Sequence, residues 1–431
     1  MRVLRVFHAG RDVALRLRDR AQTALAEVTL VVPKEWSEGA AEEILSPESF
    51  RVIELDVDRS GDVNRHSYRE QHRLRSVIDE VQPDVLDILE EPFSVASRQW
   101  LVAAPPDLPV VMYTAQNLDK RFPPPFAQYE TRAHRRVAAL YPCTGQAASV
   151  ARGKGFAGHI DVLPLGYDSS VYAAGEQSAD DEEILLGLVG RFVPEKGVTD
   201  AVRVLAALTR KRPARLVLVG AGPELVSARA LADSLGVDSQ LEILPWQAVE
   251  QMAALYRQMH VVLIPSRATA TWVEQFGRVI VEGQASGAVV AGYASGSIPE
   301  VAGPAGLLVP EGEVDALASA VVDLLADPAD FARRRDDGLE QVADKTWDAV
   351  ATRQVALYDR VIRGDLPPRL PLPSDPIARR EIARAEFGLP ARTPAGARPF
   401  ALPVLRSGGP VADALGMTID AAARLRALLS S

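Results

Sequence analysis

Short apolar runs alternate with amphipathic helical patterns along most of the chain. In the first half the apolar runs are RVLRVFH, VTLVVP, FRVIELDV, DVLDIL, PVVMYTA, ALYPC and IDVLPLG. In the second half they are ILLGLVGR, RLVLVGAG, QLEILP, HVVLIPS, AVVAGY and AGLLVP. Apolar strands separated by helices are typical of βαβ units, in which a parallel sheet carries helices on both faces. The pattern therefore predicts an α/β protein with two open, doubly wound parallel sheets.

The alternation breaks once, at residues 168–183. That stretch, DSSVYAAGEQSADDEE, carries acidic and small residues without a helix or strand period, as a linker does. We therefore predict a first domain at 1–167 and a second domain at 184–345. Two such sheets facing each other would form a cleft, with ligands bound at the carboxyl ends of the strands.

The last part of the chain has a different composition. TWDAVATRQVALYDRVI predicts an amphipathic helix within 346–363, and residues 364–431 are dense in Pro, Arg and Ala. For this tail we predict an extended segment with two helices, IARREIARAEF and VADALGMTIDAAARLRALL. The tail is expected either to be disordered or to dock on a domain or on another subunit, so a homo-oligomer formed through it is one expectation.

Composition narrows the class of protein. A chain of 431 residues is too long for one ordinary core, and 47% hydrophobic with 24% charged residues is typical of soluble globular proteins. The net charge of −9 disfavours nucleic acid as a partner. A single cysteine, Cys143, excludes an internal disulfide, and no apolar run approaches the length of a membrane span. We expect a cytoplasmic protein, with peripheral contact at the inner face of the membrane left open.

The stretch TWVEQFGRVIVEGQASG, residues 271–287, carries the first candidate chemistry. Its two carboxylates, Glu274 and Glu282, lie eight positions apart among apolar residues, where burial of a charge is costly. The preceding strand ends near Ser266 and a helix is predicted to begin near Gly277, so free backbone N–H groups there would form an anion site. A sugar nucleotide fits this layout, with sugar hydroxyls at Glu274, diphosphate at the helix start and ribose at Glu282. The alternative is that Glu282 makes a salt bridge inside the fold.

A second cluster lies in GLVGRFVPEKG. Arg191 and Lys196 follow a predicted strand, between Gly190 and Gly197, which permit tight turns. Two cations between a strand end and a helix start would clamp a phosphate, which a departing diphosphate requires. The alternative is a solvated pair of surface cations.

These motifs resemble a known family. GRFVPEKG, LVLVGAGPE and IPSRATATWVEQFGRVIVEGQASGAVVAGYASGSIPEVAG are similar to the GT4 family of retaining glycosyltransferases, whose signatures are a G-R-x4-K-G loop and an E-x7-E motif. The likeness covers most of residues 184–363. Across 1–167 it is carried by EEPFS, YTAQNLDKRFPPP and LPLGYD.

The resemblance implies a GT-B fold and transfer of a sugar from a nucleotide diphosphate to an acceptor, with retention of configuration. It implies no catalytic cofactor and a donor that is a UDP-sugar by preference, with a GDP-sugar possible. Glu274, Lys196 and Arg191 are the implied catalytic residues, and the Trp347 helix is expected to cross back to the first domain. The implied donor-binding residues are Gly190, Gly220, Trp246, Ser266, Phe276, Gly277, Arg278, Val279 and Glu282.

The acceptor is expected on the first domain. Its candidate residues are His8, Gly10 and Arg11 after the first strand, and Glu91 and Gln116 after later strands. Relatives commonly have a histidine where this chain has Gln116, and glutamine cannot shuttle a proton. In the family's front-face displacement the leaving diphosphate takes the acceptor proton, so a side-chain base is not required. The alternative for His8 is an ordinary buried histidine.

Other stretches of the sequence imitate functional motifs without completing them. LVLVGAGPE imitates a dinucleotide fingerprint, but Leu225 stands where the third glycine belongs. DVDRSGDVN imitates a calcium loop, but Ser67 stands where a bidentate Glu belongs, and the six histidines lack metal-ligand spacing. No metal is therefore expected. A sugar-nucleotide epimerase of the same architecture and a non-catalytic nucleotide-sugar-binding scaffold, with the tail as its interaction arm, are the alternative functions.

Overall fold

The computed structural model describes residues 1–11, 16–36 and 48–390. Within these ranges two parallel sheets lie in separate halves of the chain, one of seven strands and one of six. The α/β class and the two doubly wound sheets predicted from the apolar pattern are confirmed.

The N-terminal half contains the seven-stranded sheet. Its described strands are β1 (Arg2–Val6), β2 (Glu27–Pro33), β3 (Arg51–Leu55), β4 (Val57–Asp58), β5 (Ser67–Tyr68), β6 (Val85–Ile88), β7 (Val110–Thr114), β8 (Ala139–Pro142) and β9 (His159–Ile160). Its described helices are α1 (Leu17–Gln22), α2 (Gln71–Val81), α3 (Val95–Ala103), α4 (Phe126–Arg136) and α5 (Gly145–Gly153), with a 3-10 helix at His8–Arg11. The strand order is β3-β2-β1-β6-β7-β8-β9, while β4 and β5 form a separate antiparallel pair.

The C-terminal half contains the six-stranded sheet. Its strands are β10 (Ile184–Val189), β11 (Ala214–Val219), β12 (Leu241–Leu244), β13 (Val261–Ile264), β14 (Val289–Tyr293) and β15 (Leu307–Val309), in the order β12-β11-β10-β13-β14-β15. Its described helices are α6 (Val198–Thr209), α7 (Glu224–Leu235), α8 (Val249–Tyr256), α9 (Arg278–Ala285), α10 (Ile298–Ala302), α11 (Val314–Ala326), α12 (Pro328–Val342), α13 (Trp347–Arg363) and α14 (Pro376–Glu386). Short 3-10 helices lie at Pro194–Lys196, Asp238–Gln240 and Gly303–Ala305.

Each sheet is covered on both faces, which explains the uninterrupted apolar runs. In the second sheet Leu216 and Leu218 pack with the α6 residue Leu205 on one face, whereas Val217 and Val262 lie in a core with α8 and α9 on the other. Parallel strands buried on both faces carry apolar residues at successive positions rather than at alternate ones.

The strand order places loops with functional potential at two points. In each sheet the chain first adds strands on one side of its first strand and then crosses over to add strands on the other side. As a result β1 neighbours β6, and β10 neighbours β13. Crevices at the carboxyl ends of strands form at such switch points. The loops carrying Lys196, after β10, and Ser266, after β13, lie at the switch point of the second sheet.

Helix α13 crosses from the second domain to the first. The Tyr358 hydroxyl donates to Asp87 Oδ2 at 2.6 Å and accepts from Arg5 Nη2 at 2.7 Å. Arg5 also pairs with Asp19 at 2.6 Å and with Asp87 at 2.9 Å, and the side chains of Arg5 and Asp87 have no exposed surface. The first domain therefore completes a buried charged cluster with a residue 353 positions after Arg5.

Residues 364–390, which we call the strap, dock on the first domain. The Leu370 N–H donates to the Ala157 carbonyl at 2.8 Å, and the Arg152 guanidinium makes two hydrogen bonds of 2.8 Å with the Glu386 carboxylate. Helix α14 packs along α5. The predicted helix IARREIARAEF is thus present as α14, whereas the predicted helix VADALGMTIDAAARLRALL lies outside the described residues.

Two predicted strands are shorter than expected. FRVIELDV is divided into β3 and β4, because the chain leaves the sheet after Leu55 to pair with β5. IDVLPLG contributes only the end of β9, and Pro164 lacks the N–H that would continue a ladder. The predicted linker at 168–183 holds no helix or strand, and the Gln177 amide anchors it to the carbonyls of Met259 and Ser286.

Candidate functional site

The loop after β10 brings Lys196 to the end of β13. Gly197 has φ +64°, and a Cβ there would lie 2.2 Å from the Pro265 carbonyl oxygen. Only glycine permits this approach. The loop therefore packs against the residues that follow β13, which is where the first carboxylate of the E-x7-E motif lies.

Lys196 and Glu274 form the centre of the candidate donor site. Lys196 Nζ donates to Glu274 Oε2 at 2.6 Å, and Ser266 Oγ donates to the same oxygen at 3.1 Å. The side chains of Lys196 and Glu274 are 20% and 9% exposed. The pair is therefore close to the surface, where a ligand can reach it, and its charges are balanced without one.

Arg191, the second predicted cation, has a different environment. The residue is exposed, and in the described part of the chain no ion pair holds its guanidinium. Its phosphate contact stays a prediction. Gly190, with φ +152°, precedes it, and a Cβ on Gly220 would lie 2.0 Å from the Gly190 carbonyl oxygen. The G-x-G turn after β11 therefore packs against this loop.

Helix α9 begins at Arg278, one residue after the predicted position. Gly277 is its N-cap, in the left-handed region at φ +80°, and Phe276 is buried just before it. Arg278 is exposed and Val279 half-buried. The amides of this first turn are the predicted diphosphate contacts, and that role stays a prediction.

Glu282 is engaged inside the second domain. Its carboxylate accepts from Arg278 Nη2 at 2.9 Å and from the Tyr256 hydroxyl at 3.3 Å. Burial and the nearby Glu282 charge raise the pKa of Tyr256 well above its ordinary value. This is the internal salt bridge of the alternative interpretation, and the ribose contact stays a prediction.

Trp246 lies in the loop after β12. Its side chain is among the exposed large hydrophobic residues, with 58% of the residue accessible. An indole exposed to this degree can cover a planar base. That contact with the donor stays a prediction.

Hydrogen bonds between the two domains meet at the same place, and we call this set of contacts the seam. Asn117 Nδ2 donates to the Glu274 carbonyl at 2.7 Å, and Gln275 Nε2 donates to the Ala115 carbonyl at 3.1 Å. The Glu300 carboxylate accepts from the N–H of Gly145 at 2.6 Å. The backbone of the catalytic candidate Glu274 is thus held by the first domain.

On the first domain, His8 belongs to a buried cluster that we call the histidine cluster. His8 Nδ1 lies 2.7 Å from Glu90 Oε2, and the His8 N–H donates to Glu90 Oε1 at 2.8 Å. His66 Nε2 lies 3.8 Å from the same carboxylate, and Trp36 packs 4.8 Å from the His8 ring between centroids. Burial alone would raise the pKa of Glu90, but His8 and His66 outweigh it and hold the pKa below its ordinary value.

Glu91 and Gln116 are also engaged within the first domain. Glu91 accepts from the Thr114 hydroxyl at 2.7 Å and from the Ala115 N–H at 2.8 Å, and burial raises its pKa. Gln116 Oε1 accepts from Lys154 Nζ at 2.7 Å. These contacts explain both side chains without a ligand, and their acceptor roles stay predictions.

Gly10 and Arg11 complete the acceptor-side candidates. A Cβ on Gly10 would lie 3.2 Å from both Leu30 and Phe7, so packing over β2 accounts for this glycine. The Arg11 side chain lies outside the described part of the structure.

Sequence reasoning missed Glu90, His66, Asn117 and Lys154. Glu90 and Asn117 each adjoin a residue that was chosen, and side chains at successive positions of extended backbone point to opposite sides. That alternation was the available signal at both places. No sequence pattern links His66 or Lys154 to their partners, because those contacts are made between distant parts of the chain.

Among the described helices, none combines the length and apolarity needed to cross a membrane. Within residues 1–11, 16–36 and 48–390, no group of three His, Cys, Asp or Glu side chains is arranged to hold a metal ion.

Comparison with known proteins gives both sequence relatives and structural neighbours. D-inositol 3-phosphate glycosyltransferase of Segniliparus rotundus is 29% identical over 219 residues, which cover 48% of this chain and 48% of the relative. MMP alpha-(1->4)-mannosyltransferase of Mycolicibacterium hassiacum is 29% identical over 213 residues, 47% of this chain and 49% of the relative. The chain spans about half the length of the curated relatives it matches.

The structural likeness extends over both domains. The crystal structure of Anabaena HepE in complex with UDP superposes with a TM-score of 0.68 at 18% identity, covering 83% of this chain and 100% of that one. At this identity the likeness establishes the fold, which is GT-B. The model of the family "Glycosyl transferases group 1" matches residues 174–340, which include Lys196, Glu274 and Glu282. This segment is therefore similar to the group 1 glycosyl transferases, and the chain carries it within a GT-B fold.

Proposed function

We propose that this protein transfers a sugar from a nucleotide-diphosphate sugar to an acceptor with retention of anomeric configuration. The observation that carries the proposal is the Lys196–Glu274 pair, at 2.6 Å, located where hydrogen bonds join the two domains. In a two-domain fold, a donor bound at that pair lies within reach of an acceptor bound to the first domain.

Lys196 stabilises the departing diphosphate. The bond between the sugar and the diphosphate breaks with charge developing on the leaving oxygen, and a fixed cation lowers the energy of that state. Arg191, whose exposed guanidinium lies on the same loop, joins it when donor binds. The N–H groups at the start of α9 add a third source of positive potential.

Glu274 and Glu282 recognise the groups on either side of the diphosphate. When Lys196 moves to the phosphate, the Glu274 carboxylate accepts from sugar hydroxyls, while Ser266 still donates to it. Glu282 exchanges the Tyr256 contact, long at 3.3 Å, for the ribose hydroxyls. Hydrogen bonds to a charged group contribute about 1.5–3 kcal/mol each.

The acceptor hydroxyl gives its proton to the leaving diphosphate rather than to a side chain. Gln116 has no basic nitrogen, and its carbonyl oxygen already accepts from Lys154. The residues of the first domain then position the acceptor, and proximity to the sugar supplies much of the rate increase. A catalytic metal or cofactor takes no part in this scheme.

The donor is proposed to be a UDP-hexose, since the structural neighbour HepE was solved with UDP. A GDP-sugar is the second choice, because one sequence relative is named a mannosyltransferase. Location in the cytoplasm, contact with the inner face of a membrane and self-association through the tail remain predictions.

A panel of nucleotide sugars tests the proposal through thermal stabilisation. A ligand at 100 times its dissociation constant adds about 2.7 kcal/mol to the free energy of unfolding, so the donor should raise the melting temperature clearly. Glu282→Ala should abolish most of this shift, and Arg215→Ala, which removes an exposed pair with Glu183, should leave it unchanged. The donor so found is then incubated with candidate acceptors, and NMR of the product reports the anomeric configuration.

Stabilisation without turnover in a broad acceptor screen would favour a scaffold. Conversion of the donor to an isomer without an acceptor would favour an epimerase.

A further inference from the structure

Trp272 has no role in the site as described so far, yet it lies against its centre. The Lys196 ammonium is 5.0 Å from the centroid of the Trp272 ring, and the same ammonium pairs with Glu274 at 2.6 Å. Trp272 is half-buried, between the exposed Thr271 and the buried Val273. An indole face therefore adjoins the two polar groups proposed to bind the diphosphate and the sugar.

The loop holds Trp272 by hydrogen bonds to both its backbone N–H and its backbone carbonyl. The Thr269 N–H donates to the Trp272 carbonyl at 2.7 Å, and the Trp272 N–H donates to Thr269 Oγ1 at 3.0 Å. These bonds close a tight turn in residues that are otherwise exposed. The backbone that carries the indole is thus held in place before any ligand binds. Less conformational entropy is therefore lost on binding.

The base of the loop is fastened to the Lys196 loop. The Arg267 N–H donates to the Glu195 carbonyl at 2.8 Å, and the Arg267 guanidinium bonds to Asp200 at the start of α6. The Ala268 N–H donates to the Glu311 carboxylate at 2.9 Å. Trp272 and Lys196 are therefore parts of one fixed assembly rather than chance neighbours.

We propose that Trp272 forms one wall of the donor-sugar pocket and selects a neutral pyranose ring. This inference rests on the proposed function. The Lys196 ammonium lies over the indole, 5.0 Å from the ring centroid. Donor binding draws Lys196 to the diphosphate and exposes the ring face, which then packs against the C–H face of the sugar. The hydroxyl edge of the sugar meets Glu274, whose unpaired carboxylate disfavours a sugar that carries its own negative charge.

The test compares dissociation constants of the full chain for a nucleotide and for its sugar conjugates. Wild-type protein is titrated calorimetrically with UDP, UDP-glucose, UDP-glucuronic acid, GDP and GDP-mannose, and the nucleotide series that binds is used. Trp272→Ala should weaken binding of the neutral sugar conjugate by about tenfold and change binding of the bare nucleotide by less than about twofold. Trp272→Phe should retain most of the affinity for the conjugate, because a flat aromatic face remains.

Trp246→Ala is the matched control. Its indole is proposed to contact the base, so its loss should act equally on the nucleotide and on the conjugate and leave their ratio unchanged. In the wild type, the conjugate with a charged sugar should bind more weakly than the neutral one.

Each outcome bears on a different statement. Equal binding of the neutral conjugate by wild type and Trp272→Ala, or an equal loss for nucleotide and conjugate, overturns the role of Trp272 alone. Equal binding of UDP-glucose and UDP-glucuronic acid in a wild type that uses UDP overturns the selection of a neutral ring. A wild type that binds none of these compounds contradicts the proposed function and this inference with it.

Discussion

The two domains use buried charge in opposite ways. In the second domain the Lys196–Glu274 pair retains 20% and 9% side-chain exposure and lies at the end of parallel strands. In the first domain the Arg5–Asp87 pair has no exposed surface and is sealed by Tyr358. Both pairs are short. The difference in access indicates that the first-domain pair maintains the fold, whereas the second-domain pair is available to a ligand.

The two pairs also differ in how their residues are distributed along the sequence. Lys196 and Glu274 each belong to a short contiguous motif, GRFVPEKG and EQFGRVIVE respectively. Arg5, Asp87 and Tyr358 come from positions spread over the chain. A charged cluster assembled from distant residues can be recognised only after folding.

The strongest predicted change is in stability, and it tests whether the Arg5–Asp87 pair maintains the fold. Arg5→Ala leaves Asp19 and Asp87 buried without their partner, which should lower the free energy of unfolding by about 3–5 kcal/mol. Urea unfolding followed by circular dichroism measures this. Arg51→Ala, which removes an exposed pair with Glu80, is the control and should have a far smaller effect. Equal effects of the two variants would mean that the Arg5 cluster is not structural.

The second prediction concerns the rate of catalysis, and it tests whether the Lys196–Glu274 pair serves a ligand. Lys196→Ala should lower kcat/KM by about 10²–10³, or roughly 2.7–4 kcal/mol of barrier lowering, by analogy with a lost oxyanion donor. The rate of nucleotide diphosphate release from the donor measures this, and the unfolding curve should remain close to that of the wild type. Arg215→Ala serves as the exposed control. A normal rate in Lys196→Ala would remove Lys196 from the mechanism.

A third prediction concerns how the stability of the first domain depends on pH. Burial, with the charges of Lys154 and Arg369, lowers the pKa of His134 in the first domain to about 3. The unfolded chain protonates this histidine near pH 6.5 while the folded protein does not, so stability is lost as the pH falls below that value. Between pH 7 and pH 5 the loss should reach about 2 kcal/mol, at about 1.4 kcal/mol per pH unit below 6.5.

Urea midpoints at the two pH values measure this loss. His134→Phe should reduce this loss by about the contribution of His134, whereas His72→Gln, at a position whose side chain is 81% exposed, should leave the loss unchanged. An unchanged slope in His134→Phe would contradict the buried, uncharged state of His134.

The smallest effect concerns the seam between the two domains. Asn117→Ala removes the hydrogen bond to the Glu274 carbonyl and should weaken donor binding by about 0.5–1.5 kcal/mol, without a comparable loss of stability. Calorimetric titration with the donor measures this. Asn64→Ala, at an exposed position of the first domain, is the control. Unaltered affinity in Asn117→Ala would show that the first domain does not position the Glu274 loop.

The sequence predicted the two sheets and the strap helix, and it indicated the motifs of the candidate donor site, because each depends on short-range pattern. Apolar periodicity specifies strands and helices locally, and the loops of Lys196 and Glu274 are compact. Sequence pattern does not show to which side of the sheet a carboxylate at the end of a strand points. Glu91 was chosen over Glu90, although Glu90 lies between His8 and His66, whereas Glu91 accepts from the Thr114 hydroxyl of β7. Only the packed domain distinguishes the two adjacent glutamates.

The return of α13 to the first domain has a consequence for anyone who divides this protein into halves. A gene truncated after residue 167 would encode all the described strands of the first sheet, yet it would lack the phenol of Tyr358 and the amide of Gln354, which both donate to Asp87. Loss of hydrogen-bond partners from a buried carboxylate is destabilising, so such a product should be less stable than the intact domain. Residues 346–363 should therefore be kept together with residues 1–167 in any version of the first domain that is made on its own.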